Sequence, residues 1–140
     1  MTDCTLGDRG FPPGDNFKNA MDSDNHIEDL ITNGLEVITK KQVFHSDGVD
    51  SINCPNCNNN MIDSDWGDLL EKWYKDLGND NLKCSSCKCE FPITSYNFNP
   101  FWGFGYLGFN FWNWGDLKVD FIKEIESLLN VKVKLIYGRI

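Results

Sequence analysis

Cys54-Pro55-Asn56-Cys57 and Cys84-Ser85-Ser86-Cys87 are two C-x2-C pairs separated by 26 residues. A thiolate is a soft metal ligand, and two cysteines three positions apart on a tight turn can point both sulfurs to one side. Two such turns facing each other supply four sulfurs at the corners of a tetrahedron. Zinc prefers that geometry, and a shell closed by four protein ligands leaves no position for a reactive water. The spacing therefore predicts a structural zinc ion held by Cys54, Cys57, Cys84 and Cys87, not a catalytic one. Cys89, in Cys87-Lys88-Cys89, is an alternative fourth ligand in place of Cys87. Cys4 is remote from both pairs and reads as a buried or free thiol.

Other constellations that could do chemistry are sparse. His26 lies in a polar, acidic stretch at a helix start, and His45 follows the strand-like Val43-Phe44 near a shell that four cysteines already fill. The aspartates sit in turn and cap contexts such as Asp47-Gly48 and Asp63-Ser64-Asp65, where they bond local backbone. Gly103-Phe104-Gly105-Tyr106-Leu107-Gly108 matches the dinucleotide pattern G-x-G-x-x-G in letters only. An aromatic, β-favouring run continues to Trp114 where a helix should open, and 32 residues after Gly108 cannot complete a doubly wound sheet. No catalytic residue is assigned, and the expectation is a binding protein rather than an enzyme.

The paired knuckles resemble those of zinc-ribbon proteins over about residues 51–95. That resemblance implies a Cys4 metal shell and carries no activity, because ribbons serve proteins of many functions. Between the knuckles, Trp66, Leu69, Leu70, Trp73 and Leu77 fall at helical spacing, with Ser64 or Asp65 as N-cap and Gly78 as the stop. The apolar face of this helix lies against the metal knob or core, or else presents Trp66 and Trp73 to a partner.

The flanks of the ribbon must position it. Leu6-Gly7 and Gly14-Asp15 recur as Leu107-Gly108 and Gly115-Asp116 at a constant offset of 101. An amphipathic stretch follows each, with Ile27, Leu30 and Ile31 in the first and Leu117, Phe121, Ile122, Ile125, Leu128 and Leu129 in the second. Each then turns at an asparagine into an alternating segment, Leu35–Thr39 and Val131–Leu135. The resulting expectation is an α+β fold in which residues 1–50 and 96–140 are strand–helix–strand halves of one ferredoxin-like domain, with the ribbon at 51–95 inserted between them. A generic α+β domain is the fallback.

Nine aromatics lie between Phe98 and Trp114. Trp102, Phe104 and Tyr106 share one parity and Leu107, Phe109 and Phe111 the other, with Gly105 and Gly108 beside the switch, as in a strand carrying a bulge. In one reading these rings cover a small core, and in the other they form a stacking platform or a partner hot spot. Phe11-Pro12-Pro13-Gly14 reads as a rigid turn.

Composition bounds the rest. The chain has 140 residues, 14% of them aromatic, and a net charge of -8 that four zinc thiolates would deepen by about two. Residues 1–33 carry seven acids and two bases, whereas residues 101–140 carry four and five. Acidity of this kind complements a basic protein surface and makes nucleic acid a poor partner, or else serves simply to keep the chain soluble. It opens Met1-Thr2-Asp3-Cys4 with no basic lead into an apolar run, and no window approaches the roughly 18 apolar residues of a membrane span. Six cysteines without a secretory signal favour a reducing, cytoplasmic setting and metal over disulfides. The function expected is protein–protein binding, in its specific form that of an immunity-type inhibitor of a bacterial toxin. The alternative is a zinc-ribbon module associated with nucleic acid or transcription machinery.

Overall fold

The structure is a computed structural model and describes residues 10–22 and 32–138. The fold is mixed α/β, with small, antiparallel sheets and, among the described residues, two α-helices. The chain divides into two compact units, Met1–Lys40 with Tyr106–Lys134 and Lys41–Gly105 with Leu135–Ile140.

In the first unit, β1 (Gly10–Phe11), β2 (Gly34–Ile38) and β9 (Gly108–Trp112) form an antiparallel sheet in the order β1-β2-β9. The β2–β9 register runs from Gly34 opposite Trp112 to Ile38 opposite Gly108. β2 coincides with the alternating segment read at Leu35–Thr39. Glu36 on this strand accepts hydrogen bonds from the Trp112 indole at 3.0 Å and the Asn110 amide at 3.4 Å. Helix α2 (Val119–Leu129) covers the predicted stretch from Phe121 to Leu129, with Leu117 before its start and Leu128 exposed, and its Phe121 meets Phe111 of β9 edge-on. Ala20, Met21 and Ile38 are the buried apolar residues described in this unit.

The strand expected over Val131–Leu135 is not there. Helix α2 stops at Asn130, in the left-handed region at φ 51°, and the Val131 N–H turns back to the Glu126 carbonyl. The Val133 N–H then goes to the Glu126 carboxylate at 3.1 Å, so a local acceptor takes the donor a ladder would need. Without that strand the second half is not strand–helix–strand, and the ferredoxin-like duplication is not confirmed. Leu6-Gly7, Cys4, His26 and the helix read through Ile27, Leu30 and Ile31 lie outside the described residues.

In the second unit, three antiparallel ladders pair β3 (Gln42–Phe44) with β8 (Gly103–Gly105), β4 (Ser51–Asn53) with β7 (Asn97–Asn99), and β5 (Asn81–Lys83) with β6 (Glu90–Pro92). The aromatic run is strand on both sides of a break at Tyr106-Leu107, where its parity switches, and Gly108 opens a strand instead of a helix. Helix α1 (Trp66–Lys75) has Asp65 at its N-cap and ends at Asp76 in the left-handed region, two residues before Gly78. Its Trp66, Leu69, Leu70 and Trp73 pack on a core of Ile52, Met61, Leu82, Ile93, Tyr96, Phe98 and Trp102, whereas Leu77 is exposed. The Phe98 and Trp102 rings stack at 5.0 Å, and Trp66 meets both edge-on at 6.0 Å. Phe98 and Trp102 are thus core, while Phe101 is exposed. Among the described residues no helix is long and apolar enough to cross a membrane.

Candidate metal centre

Each cysteine pair begins where a short strand runs out. β4 delivers Cys54 and β5 delivers Cys84, and both residues are essentially fully buried. After Cys54 the chain folds back, so that the Asn58 N–H reaches the Cys54 carbonyl at 2.9 Å and the Cys54 N–H reaches the Asn59 carbonyl at 2.9 Å. The second turn repeats the pattern thirty positions later: Lys88 N–H to Cys84 carbonyl at 3.1 Å, and Cys84 N–H to Cys89 carbonyl at 2.8 Å. Asn58 and Lys88 share a positive φ, 60° and 64°, which turns the chain back after the second cysteine so that the next carbonyl, of Asn59 or Cys89, meets the N–H of the first.

The repeat includes the preceding strands, since Ile52-Asn53-Cys54 matches Leu82-Lys83-Cys84, with Ile52 and Leu82 buried. Sequence reading missed this correspondence, although the shared apolar residue two positions before each first cysteine was its signal. It also missed the residues that tie the turns together. The Asn59 amide reaches both Ser85 Oγ and Met61 Sδ at 3.2 Å, and Asn60 Oδ1 accepts from the Ile52 and Ile62 N–H groups at 3.1 Å each.

The four sulfurs of Cys54, Cys57, Cys84 and Cys87 lie within 4.8 Å of one another. Cys54 and Cys87 are 3.8 Å apart and Cys57 and Cys84 3.6 Å, each pair joining one turn to the other. A regular tetrahedron with metal–sulfur bonds of about 2.3 Å has edges of about 3.8 Å, so the cluster has the dimensions of a closed four-thiolate shell. Cys87, not Cys89, is the fourth sulfur of this group. Cys89 stands beside it, its sulfur receiving the Asn56 side-chain amide at 3.5 Å.

The thiols titrate as a crowded group. Cys87 is held down to about 6, first by the Asn56 amide and then by the Cys89 backbone N–H. Cys84 is lowered, chiefly by the Cys87 backbone N–H. Cys57 is pushed up to about 11: the Asn59 backbone N–H pulls it down, but desolvation and the three neighbouring thiols outweigh that pull. Four sulfurs this close cannot all carry charge unless a cation sits among them. The residues present fit a metal ion with thiolate preference.

Tyr96 supports the shell from below, its hydroxyl donating to the Leu82 carbonyl at 2.7 Å next to the second turn. His45 is not part of the cluster. Its ring lies 4.7 Å from that of Trp102, tilted by 31°, and its Nδ1 bonds the Ser46 carbonyl at 2.6 Å. No family model matches the chain, and neither a curated protein nor a solved structure matches it.

Proposed function

We propose that the chain is a zinc-stapled protein that works by binding a basic protein partner. The observation carrying this reading is the cluster of four cysteine sulfurs, all within 4.8 Å of one another and two of the pairs at 3.6 and 3.8 Å. Of the soft divalent ions suited to four thiolates, zinc needs no redox partner and favours closed tetrahedral shells, which serve folding. The net charge of -8 then supplies long-range attraction to a basic surface. The specific form we favour is a compact acidic inhibitor, of the immunity type, that covers the functional surface of a toxin.

The test is affinity capture from the native lysate, with metal quantified in the same sample. One zinc per chain and a basic protein released at high salt is the expected result. Zinc with co-purifying nucleic acid would replace the protein-partner reading by that of a nucleic-acid-associated ribbon. Protein purified without metal, and unable to take up zinc after thiol reduction, would refute the zinc assignment.

A further inference from the structure

Gly103 and Gly105, which match the dinucleotide pattern in letters only, have a different use in the second unit. In the β3–β8 ladder Val43 lies opposite Phe104, and both pack against the core. The alternate pairs, Gln42 with Gly105 and Phe44 with Gly103, therefore belong to the opposite face. On that face β8 carries no side chain, which leaves a bare strip of backbone bordered by Gln42 and Phe44 of β3.

The strip has an occupant. Leu135–Ile140 belongs to the second unit, and Ile136 stands where a side chain of residue 103 would be. A Cβ on Gly103 would lie 3.2 Å from Ile136 Cγ1 and 3.6 Å from Phe44 Cβ. Gly103 is buried and Ile136 half-buried, whereas Leu135 and Tyr137 on either side are exposed. Among the described residues none is hydrogen-bonded to residues 135–138, so the segment is seated by Ile136 in its notch and not by a ladder. Charge adds a second complement. Lys41–Gly105 carries nine acids and five bases, whereas residues 131–140 carry three bases and no acid.

We propose that the Gly103 notch and its strip are the docking site for an extended basic segment of the partner, one that inserts a branched aliphatic side chain, and that residues 135–138 hold this site in the unbound chain. The basic partner rests on the reading above, whereas the notch and its internal occupant rest on the β3–β8 geometry. The segment after α2 is tethered beside the notch at an effective concentration of about millimolar, so a partner displaces it only through contacts that the segment lacks. With no ladder to break, that displacement leaves the main-chain bonds of the second unit intact.

The experiment follows the fluorescence anisotropy of a labelled peptide of residues 131–140 added to the purified full-length chain. Ile136→Ser empties the notch and should bind the peptide at least about tenfold more tightly than the wild type, whose own segment competes. Binding should weaken as salt is raised, and the Ile136→Gly peptide should bind at least about tenfold less well. Adding Gly103→Val to Ile136→Ser should abolish binding. Gly103 is not among the glycines of positive φ, so valine suits this strand position and its methyls fill the notch. A second measurement needs no variant: on the wild type, peptide in excess of the effective concentration should move the Ile136 methyl NMR signals to their random-coil positions. Equal binding by Ile136→Ser and the wild type, undiminished binding after Gly103→Val, or Ile136 methyls unmoved by excess peptide would overturn the proposal. If these peptide results hold but lysate capture returns no basic protein, only the basic-partner reading fails.

Discussion

Cys84→Ser should unfold the second unit outright instead of weakening it by a few kcal/mol. Cys84 has no exposed surface, and its sulfur is 3.6 Å from Cys57 in the tetrahedron. A serine hydroxyl is a poor zinc ligand at neutral pH, and a buried hydroxyl without a partner costs about 1–3 kcal/mol more. Structural zinc contributes about 10–16 kcal/mol of apparent binding free energy in small zinc domains, against a total stability of about 5–15 kcal/mol for a typical domain. The loss is therefore as large as everything the unit has. It also falls at the centre of the packing, because Cys54 and Cys84 are themselves members of the buried core with Ile52, Leu82 and Tyr96. The assay is hydrogen exchange at two indole N–H groups read by NMR. Trp66 donates to the Ile62 carbonyl at 3.1 Å and Trp102 to the Gly48 carbonyl at 3.2 Å, so both are slow only while the unit is folded. Cys89→Ser, outside the shell, should leave both indoles protected. Wild-type zinc content with unchanged indole protection in Cys84→Ser would refute the assignment and the energetic argument built on it.

Two further outcomes follow from the same unit. Lys41→Met should cost about 1–2 kcal/mol in urea denaturation, because the ammonium caps the Trp73 carbonyl at the end of α1 at 2.7 Å and lies 5.1 Å from the Trp73 ring centroid. Its ion-pair partner Asp76 has a side chain 80% exposed, so Asp76→Asn should cost less than about 0.5 kcal/mol. Burial first, and then the charge of the cysteines, push the Tyr96 hydroxyl up to about 12, whereas an unfolded tyrosine titrates at 10.0. The folded state keeps a proton that the unfolded chain gives up. This contribution is complete below about pH 10 and disappears as pH rises through about 12, with a ceiling of about 2.7 kcal/mol at about 1.36 kcal/mol per unit. Melting curves between pH 8 and 12 should show that alkaline limb in the wild type and not in Tyr96→Phe, which should already cost about 0.5–1.5 kcal/mol at pH 7 by removing the hydroxyl's hydrogen bond to the Leu82 carbonyl.

The residues of the metal cluster were legible because a C-x2-C turn is a local object. Two sulfurs on one side of a tight turn follow from three peptide units of chain, and no distant residue has to be known. Helix α1 was legible for a related reason, since Trp66, Leu69, Leu70 and Trp73 state a period and a face within ten residues. Its end was misplaced by two residues because Asp76, not glycine, takes the left-handed conformation that closes it. The parity switch in the aromatic run was visible too, and strand pairing breaks there.

Partners distant in sequence were not legible. Val131–Leu135 alternates as well as β2 does, yet β2 has β1 and β9 on its two sides, while the Val133 N–H meets the Glu126 carboxylate first. Alternation states that a segment can be a strand; a ladder needs a second strand with free donors and acceptors in register. The apparent duplication failed on the same ground, because matching dipeptides constrain no hydrogen bonds. The choice between Cys87 and Cys89 was open in the sequence, where either spacing reaches a fourth corner. The sequence by itself determined which thiols could gather around a metal and which helix lies beside them. Only the tertiary structure decided that Cys87 completes the tetrahedron while Cys89 waits outside it, because closing the turn on the Cys84 backbone assigns Cys89 its carbonyl role and Cys87 the position facing Cys54.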